Sequence, residues 1–225
     1  TAGSVITNNG LLTNNAFINV DIGSDLNNNN TLVNNELIYV EGGDLNNNNG
    51  AILNNFAALD VRTGTFVNQG TVNNTLAGLG VSNYSQLTNE SLFNNDGIFF
   101  NAYSGTFDNS GTFDNEGTLT NAGTLNINFG GLLENKSGGT LHNDDVASAV
   151  FNVAGGVDNY SGATLDNDAL VTVTATGIFR TNGTVNNNDT FTNNGFIGIA
   201  SGGAFNNTDG STLTNNGDIL ISAGG

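Results

Sequence analysis

The side chains that could form an active site are few in this sequence, and they stand far apart. Its single histidine is His142, and its permanent cations are Arg62, Lys136 and Arg180. One histidine cannot supply a His-based metal site, and no nucleophile-elbow motif accompanies it. We therefore expect His142 to be a surface residue beside Leu141 and not a catalytic base.

Two pairs of carboxylates have the residue types that a glycoside hydrolase needs, Asp108 with Asp114 and Asp144 with Asp145. Asp residues that point outward from a repetitive scaffold are more often solvated than catalytic. We therefore do not expect an enzyme.

Oxygen ligands for calcium are an alternative, because Asp108, Asp114 and Glu116 recur close together in the sequence. Hard cations prefer such carboxylate and amide oxygens. The Gly-Gly-x-Gly-x-Asp nonapeptide of calcium-binding β-rolls is not repeated here. We expect no cofactor and keep a calcium site as the alternative.

Composition excludes several classes of partner. The 225 residues include 45 Asn and 32 Gly but no Pro, Cys, Met or Trp, and the net charge is −17. Phosphate neutralisation needs a basic face, so nucleic acid and anionic membranes are poor partners. No run of 18 apolar residues is present, so no membrane-spanning helix is expected. Zero cysteines exclude a disulfide framework.

The element that must position all these side chains is a six-residue phrase, clearest in residues 105–127, GTFDNSGTFDNEGTLTNAGTLNI. Its apolar residues Phe107, Phe113, Leu119 and Leu125 are each six positions apart. A strand of three or four residues followed by a corner of about two fits this spacing when the chain keeps turning the same way.

Three apolar columns extend this phrase along the whole chain. The first is an i, i+2 pair at steps of mostly 19 to 22 residues: Ile18/Val20, Ile38/Val40, Leu59/Val61, Leu79/Val81, Ile98/Phe100, Leu125/Ile127, Phe151/Val153, Val171/Val173, Ile197/Ile199 and Ile219/Ile221. The second has Asn at i+2: Leu12, Leu32, Ile52, Val72, Leu92, Leu119, Leu141, Leu165, Phe191 and Leu213. The third is less evenly spaced: Ile6, Leu26, Leu45, Phe66, Leu87, Phe107, Leu133, Val157, Phe179 and Phe205.

Three short strands per repeat predict one turn of a parallel β-solenoid, all-β and about ten coils long, as a single domain over residues 1–225. No segment has a helical stripe, and Asn and Gly are poor helix formers. A lone coil cannot offset its conformational entropy, whereas stacked coils share ladders at every layer. At about 4.8 Å per coil the rod is roughly 50 Å long.

The Asn at i+2 is predicted to point inward at a corner, because it follows the apolar residue by two positions in a strand. There its amide can bond to corner backbone and to the Asn of the next coil, which gives a self-satisfying stack. We also expect Asn to adopt the left-handed conformation at corners, as Gly does.

Two interruptions of the period are interpreted as an extra hexad that gives a coil four sides, and a third as a lengthened connection. These are Phe107–Phe113–Leu119, Phe179–Val185–Phe191, and the connection from Leu141 to Phe151 with His142, Asp144 and Asp145. Arg62 and Arg180 fall in coils three and nine, about 30 Å apart at the strand spacing and on different sides. That separation argues against a polysaccharide lyase, which needs clustered cations.

Outward Thr residues flank the second column and could form an ice-binding face. They are Thr118/Thr120, Thr190/Thr192, Thr212/Thr214 and the single Thr31, Thr71, Thr140 and Thr164, interrupted by Leu53, Phe93, His142 and Asp166. Glycosylation sequons also occur, for example at Asn29, Asn83, Asn135 and Asn188. Thr is in any case a good outward strand residue.

Neither end of the chain carries a recognisable cap. Residues 1–5 and 222–225 contain no amphipathic helix or polar segment that could cover an open stack of strands. We expect the solenoid to be uncapped at both ends, continued by further repeats or by a second subunit stacked head to tail.

The GT[LF]xNxGTL phrases and Asn-rich corners resemble the repeats of secreted bacterial adhesins of the filamentous-haemagglutinin-like and autotransporter-passenger families. The resemblance covers the whole chain as a style of repeat, without the N-terminal cap and secretion module of those families. It implies a right-handed parallel β-helix that is exported and serves as a stalk, fibre or adhesive surface.

We expect a structural protein of the extracellular space or cell surface, a fibre subunit or adhesin stalk that associates end to end and contacts surface glycans. The alternatives are a carbohydrate-binding or carbohydrate-cleaving β-helix, with a groove near Tyr84, Tyr103 or Tyr160, and an ice-binding solenoid.

Overall fold

The computed structural model describes residues 3–75, 79–145 and 149–224, and in these ranges every regular element is a β-strand. The strands pair in parallel into three sheets, with orders 1-4-7, 2-5-8 and 3-6-9 continued in steps of three. Three successive strands therefore form one coil, and each coil stacks on the one before it. The predicted parallel β-solenoid with three strands per coil is confirmed.

The strands are numbered in chain order, and three of them make a coil, so that coil 1 is β1–β3. Sheet A contains β1 (Val5–Asn8), β4 (Asp25–Asn28), β7 (Asp44–Asn47), β10 (Thr65–Asn68), β13 (Gln86–Asn89), β16 (Thr106–Asn109), β19 (Thr124–Ile127), β22 (Val150–Val153), β25 (Leu170–Val173), β28 (Thr190–Asn193) and β31 (Thr212–Asn215). Sheet B contains β2 (Leu11–Asn14), β5 (Thr31–Asn34), β8 (Ile52–Asn55), β11 (Thr71–Asn74), β14 (Leu92–Asn95), β17 (Thr112–Asn115), β20 (Leu132–Asn135), β23 (Gly156–Asn159), β26 (Ile178–Thr181), β29 (Phe196–Ile199) and β32 (Asp218–Ile221). Sheet C contains β3 (Phe17–Asp21), β6 (Leu37–Glu41), β9 (Ala58–Val61), β12 (Gly80–Asn83), β15 (Ile98–Asn101), β18 (Thr118–Asn121), β21 (Thr140–Asn143), β24 (Thr164–Asn167), β27 (Thr184–Asn187) and β30 (Ala204–Asn207).

Nearly every strand repeats one burial pattern: its second and fourth residues point into the rod and its first and third point out. In β16, for example, Phe107 and Asn109 are fully buried while Thr106 and Asp108 are partly exposed. This is the period-two alternation of a strand with one covered face. The second position always carries the large apolar residue, and the fourth carries Asn or an aliphatic residue, except in β26, where it is Thr181.

The inward apolar residues form one continuous core along the axis of the rod. Its widest side chains are concentrated in coils 5 and 6, where Phe93, Phe99, Phe107 and Phe113 pack with ring centroids 4.8–6.5 Å apart. All four are fully buried. Contacts of this kind contribute energy beyond the area that they bury, in stacked or edge-to-face geometry.

The corners do not use Asn in the left-handed conformation, contrary to the sequence-based expectation. Within the described ranges, every residue with positive φ is a glycine, such as Gly130, Gly162 and Gly202. A glycine in this region avoids the steric cost that Cβ imposes on other residues. Left-handed corner conformation therefore does not explain the Asn enrichment; 21 of the 45 Asn residues are instead buried inside the rod.

The prediction of four-sided coils is wrong. β16 pairs with β19 at a separation of 18 residues, Thr106 opposite Thr124, so the coil through the hexad run still has three sides. An extra hexad is one extra strand, and the chain places it on the next side of the triangle. Each later column then shifts by one sheet. The lengthened connection that follows β21 lies partly outside the described residues.

The three columns therefore do not each follow one face. The first column lies in sheet C up to β15, in sheet A from Leu125 to Val173, and in sheet B from Ile197 onward. The second column moves from sheet B to C to A, and the third from A to B to C. Each column changes sheet twice, once at each of the two extra hexads.

Three predicted inward positions are wrong by one residue. The side chains of Ile52 and Ile98 are exposed, and Leu92 is only partly buried, while their neighbours Leu53, Phe99 and Phe93 are buried. Leu79 is also exposed, because it precedes β12, whose inward residue is Val81. Accordingly Asn55 and Asn95 point inward in place of Asn54 and Asn94, and Phe100 points outward. A one-residue change of register exchanges the two faces of a strand, and pairing with neighbouring coils fixes it.

Candidate functional site

The inward Asn residues form hydrogen-bonded ladders that run along the three corners of the rod. Asn68 shows the full pattern: its Nδ2 donates to Asn89 Oδ1 at 2.7 Å and to the carbonyl oxygen of Leu92 at 3.0 Å. Its Oδ1 accepts from Asn47 Nδ2 at 2.8 Å and from the backbone N–H of Gly70 at 3.2 Å. All four hydrogen-bonding positions of the amide are thus used.

These ladders confirm the predicted Asn stack, and every bond in them has the same direction. The Nδ2 of each Asn donates to the residue one coil later, from Asn8 to Asn109 in sheet A, from Asn14 to Asn159 and then Thr181 Oγ1 in sheet B, and from Asn83 to Asn207 in sheet C. A short further ladder joins Asn193 to Asn215 in sheet A. The two ends of the rod are therefore chemically different.

Where a ladder is interrupted, the corner is aliphatic. Sheet C has Val20, Val40 and Val61 in coils 1–3, sheet A has Ile127, Val153 and Val173 in coils 7–9, and sheet B has Ile199 and Ile221 in coils 10 and 11. Coils 4–6 have Asn at all three corners.

Both terminal coils expose inward-facing residues that are covered elsewhere. Ile6 of β1 is 53% exposed and Ile221 of β32 is 62% exposed, whereas their counterparts in the middle of the rod are fully buried. Residues 222–224 form a corner whose Gly224 carbonyl accepts from the N–H of Gly202 at 2.7 Å, so they continue the spiral and do not cross the end. Within the described residues, the inward-facing side chains of both end coils are therefore exposed.

The candidate carboxylate pair of Asp108 and Asp114 is not brought together. Asp108 lies on the outside of sheet A, where it accepts from Gln86 Nε2 and Asn126 Nδ2, both at 2.7 Å. Asp114 lies on sheet B, bonded to Lys136 Nζ at 2.6 Å.

The three calcium candidates do not share one face, because Asp108 is on sheet A, whereas Asp114 is on sheet B and Glu116 is at the exposed corner that follows it. The second carboxylate pair, Asp144 and Asp145, is adjacent at the corner after β21, where the N–H of Asp145 donates to Asp144 Oδ1 at 2.9 Å. Within the described ranges, no group of three or more His, Cys, Asp or Glu residues has metal-binding geometry.

A network of charges covers coils 6–8 on sheet B. Lys136 Nζ lies 2.6 Å from Asp114 Oδ2 and 3.9 Å from Glu134 Oε2, and Tyr160 Oη donates to Glu134 Oε1 at 2.5 Å. The hydrogen bond with Asp114 raises the pKa of Lys136. The hydrogen bond with Glu134 raises the pKa of Tyr160 to about 12. The network ties three successive coils together across the outside of the rod.

His142 has a carboxylate partner that its position in the sequence does not reveal. Its Nε2 lies 2.6 Å from Asp168 Oδ2, one coil later, and Asn188 Nδ2 donates to Asp168 Oδ1 at 2.7 Å. His142 lies on the outer face of β21 between Thr120 and Asp166 of the adjacent strands. Both members of the pair are partly exposed, and in the described part of the chain no serine or threonine hydroxyl is hydrogen-bonded to the ring.

Sheet C also carries an aromatic and ionic cluster near the N-terminal end. The guanidinium of Arg62 lies 3.4 Å from the ring centroid of Tyr39, a cation–π contact, and 3.7 Å from Asp60. Burial raises the pKa of Asp60, and Arg62 partly opposes that rise. Asp60, Arg62 and Tyr84 line a shallow depression of about 400 Å³. Arg180 is six coils away on sheet B, paired with Asp158 at 3.2 Å.

The outward Thr residues do not form the single ladder expected from sequence. Thr31 and Thr71 lie on sheet B, Thr118, Thr120, Thr140 and Thr164 on sheet C, and Thr190, Thr192, Thr212 and Thr214 on sheet A. Thr118, Thr140, Thr164 and Thr184 do stand in register on four successive coils. Leu53 and Phe93, expected to interrupt the outward row, are fully buried.

Two of the sequons named above are inaccessible in the folded rod. Asn83 and Asn135 belong to the ladders and are fully buried, whereas Asn29 and Asn188 are at exposed corners.

No family model and no curated protein matches the chain. Among solved structures, the chain is similar to the crystal structure of a TibC-catalyzed hyper-glycosylated TibA fragment, at 16% identity and a TM-score of 0.31, over 99% of this chain and 92% of that one. No helix of the described residues is long and apolar enough to cross a membrane.

Proposed function

We propose that this protein is a structural rod of the extracellular space or cell surface, a stalk or fibre subunit of adhesin type. The single observation that carries the proposal is the uninterrupted stack of coils whose terminal layers are open, with Ile6 and Ile221 exposed at opposite ends. A scaffold that repeats one layer from end to end can be lengthened without changing its cross-section.

The distribution of charge supports the same function. The 20 carboxylates and three permanent cations are on the outside, and the inside is closed by apolar residues and uncharged amides. Such a rod can extend through water without burying charge, and its net charge of −17 disfavours lateral clumping.

Small-angle scattering and electron microscopy of the purified protein test the proposal. We expect rods of constant cross-section whose length is about 50 Å per chain, from the strand spacing and eleven layers. Display of the protein behind an export signal should place its exposed loops within reach of protease added outside intact cells. A compact, isometric particle, or a rod that stays inside the cell under every export signal, would contradict the proposal.

Glycan binding is a second candidate function, favoured by the depression around Arg62 and Tyr84. Aromatic faces beside a carboxylate and a guanidinium are suited to stacking and hydrogen bonding with sugar rings. Titration with oligosaccharides, followed by tyrosine fluorescence, should show saturable binding that Tyr84→Ala removes and Tyr160→Ala, on another face, leaves unchanged. Identical titrations for the two variants would contradict it.

A further inference from the structure

The two open ends of this rod are complementary to each other in one orientation. We infer that a second copy of the chain stacks head to tail on the C-terminal end, turned so that its β1 lies on β30, its β2 on β31 and its β3 on β32. This inference rests on the proposed function, and specifies the partner surface and its register.

The spiral ramp formed by the strands favours this orientation. At the C-terminal end the last three strands rise in the order β30, β31 and β32, because sheet C has ten strands and the other two sheets have eleven. At the N-terminal end the first strands rise in the order β1, β2 and β3. Only the orientation that puts β1 on β30 makes the ramp continuous; each of the other two leaves a step in the interface.

The corner residues of the two end layers favour the same orientation, independently of the ramp. The C-terminal layer ends in Asn207, Asn215 and Ile221 on β30, β31 and β32, and the N-terminal layer ends in Asn8, Asn14 and Val20 on β1, β2 and β3. Stacking β1 on β30 places Asn on Asn twice and Val20 on Ile221. Each of the other two orientations places two Asn residues against aliphatic side chains.

Hydrogen-bond direction supports the polarity of this junction. At the C-terminal end the Nδ2 of Asn215 donates within its own turn, to the carbonyl of Gly217 at 3.0 Å. At the N-terminal end the Oδ1 of Asn8 accepts from the N–H of Gly10, and Asn14 does the same with Ala16. Inside the rod the same atoms also take part in coil-to-coil bonds. A head-to-tail junction therefore aligns donors with acceptors.

The apolar second positions match as well. Ile6 would lie on Phe205, Leu12 on Leu213 and Ile18 on Ile219, all inward-facing and at least partly exposed in the single rod. Covering them removes apolar surface from water, which favours association. These contacts are apolar in every orientation, so they supply attraction and the corners supply register.

One local conflict must be relieved when two copies meet. Gly3 lies under Gly23 at the corner that leads into a sheet A strand, and Gly224 is bonded to Gly202 at the corner that leads into a sheet C strand. In the inferred stack, residues 3–4 of one copy and 222–224 of the other need the same corner. One of these short segments must swing out, and deletion of residues 222–225 should strengthen association.

Cysteine cross-linking tests the register directly, because the chain has no cysteine of its own. Thr7→Cys on β1 is mixed with Asn206→Cys on β30, Thr214→Cys on β31 or Leu220→Cys on β32, all outward third positions of terminal strands. Stacked strands put paired Cα atoms about 4.8 Å apart, within disulfide range. Mild oxidation and a non-reducing gel then measure the mixed dimer.

The expected result is a mixed dimer of Thr7→Cys with Asn206→Cys about tenfold more abundant than with either other partner, since misplaced pairs exceed disulfide reach. Deletion of residues 222–225 in the Asn206→Cys partner should increase that yield further. A larger yield with Thr214→Cys or Leu220→Cys, or no cross-link with any partner, would overturn the inference. Scattering from each single variant and from the unsubstituted protein is the separate control: folded rods that do not cross-link refute the inferred stack alone, whereas an unsubstituted chain that is not a rod refutes the proposed function.

Discussion

Sheet A holds two kinds of corner in the same geometrical position. In coils 1–6 the fourth strand residue is Asn, from Asn8 to Asn109, and in coils 7–9 it is aliphatic, from Ile127 to Val173. Except at the first coil, both kinds are essentially fully buried. The backbone pairing is the same in both regions, in parallel and in register.

The difference shows that the buried corners of sheet A occur either in runs of Asn or in runs of aliphatic residues. An aliphatic side chain needs no partner, while an amide needs partners above, below and within its own turn, because an unpaired buried polar group is costly. Asn is therefore favourable in runs and unfavourable alone. A run can end where the last amide finds backbone, as Asn109 does by donating to the carbonyl of Leu132 at 2.8 Å.

The largest expected effect comes from an aliphatic residue placed inside a run. Asn68→Val removes four hydrogen bonds and leaves the partners on Asn47, Gly70 and Asn89 unsatisfied. We expect the free energy of unfolding to fall by about 3–5 kcal/mol, at about 1–3 kcal/mol per orphaned group less the gain from burying Val. Urea denaturation followed by circular dichroism measures it. Asn49→Val, at an exposed corner, should change stability by less than about 0.5 kcal/mol, and equal losses would refute the comparison.

The reverse exchange should cost less. Val153→Asn puts a single amide between Ile127 and Val173, where no ladder partner exists above or below. We expect a loss of about 2–3 kcal/mol, because the amide can still reach backbone within its own turn. Chemical denaturation of the variant beside wild type measures it. A Val153→Asn protein as stable as wild type would show that the corner does not discriminate.

Cooperation within a run can be measured by completing it. The triple variant Ile127→Asn, Val153→Asn and Val173→Asn would join Asn109 to Asn193 in one sheet A ladder. We expect its loss of stability to be smaller than the sum of the three single losses by about 2 kcal/mol, because each new amide gains a partner from the next. Strict additivity in denaturation experiments would show that the amides act independently.

The end of the rod gives the smallest effect on stability. Asn215 is exposed, lies in the last described strand of sheet A, and accepts from Asn193 Nδ2 at 2.7 Å. Asn215→Val should lower the unfolding free energy by less than about 1 kcal/mol, since water can satisfy the groups left behind. Asn193→Val, one coil inward, is the matched comparison and should cost more. The two measured at low protein concentration should differ; equal values would contradict the role of burial.

A hydrogen bond on the outer face of the rod can be tested without changing the packing of the core. The hydrogen bond to Glu134 holds the pKa of Tyr160 at about 12, above its ordinary value. The stabilisation from this bond is therefore present below pH 10 and is lost as pH rises toward 12. Ultraviolet titration should show one late-ionising tyrosine that Tyr160→Phe removes and Glu134→Gln returns to an earlier pH. A titration that Glu134→Gln leaves unchanged would refute the assignment.

The fold could be predicted from the sequence because every coil repeats the same strand phrase. The three strands per coil, the parallel stacking and the inward Asn all follow from an alternation of period two with a period of about 20 residues. The errors in register have one physical origin: the residues of a single strand allow either face to point inward, and pairing with the neighbouring coils selects one. The strand Ile52–Asn55 has two apolar residues followed by two Asn residues, so its own sequence allows either Ile52 or Leu53 to point inward. Pairing with Val72 in the next coil selects Leu53.

The sheet in which each column lies could not be predicted, because the three sides of a coil are equivalent in sequence. Val185 was interpreted as part of a fourth side, and it is instead an ordinary inward residue of β27. Pairs such as His142 with Asp168 were missed since they join residues 26 positions apart on adjacent coils. The signal that could have identified them is a pair of polar residues one coil apart, both in outward-facing positions.

The spacing of partners along the chain also determines how such a rod must form. Each ladder bond closes a loop of 18–24 residues, from Asn83 to Asn101 at the short end and from Asn135 to Asn159 at the long end. Closing the first such loop costs conformational entropy before any stacked coil is present to provide stabilising contacts. Each later loop is of similar size, but its strands pair at once with a coil that is already folded. Folding should therefore begin slowly with two coils and continue quickly by addition of one coil at a time. In hydrogen exchange, protection should decline from the Phe-rich coils 5 and 6 toward both ends.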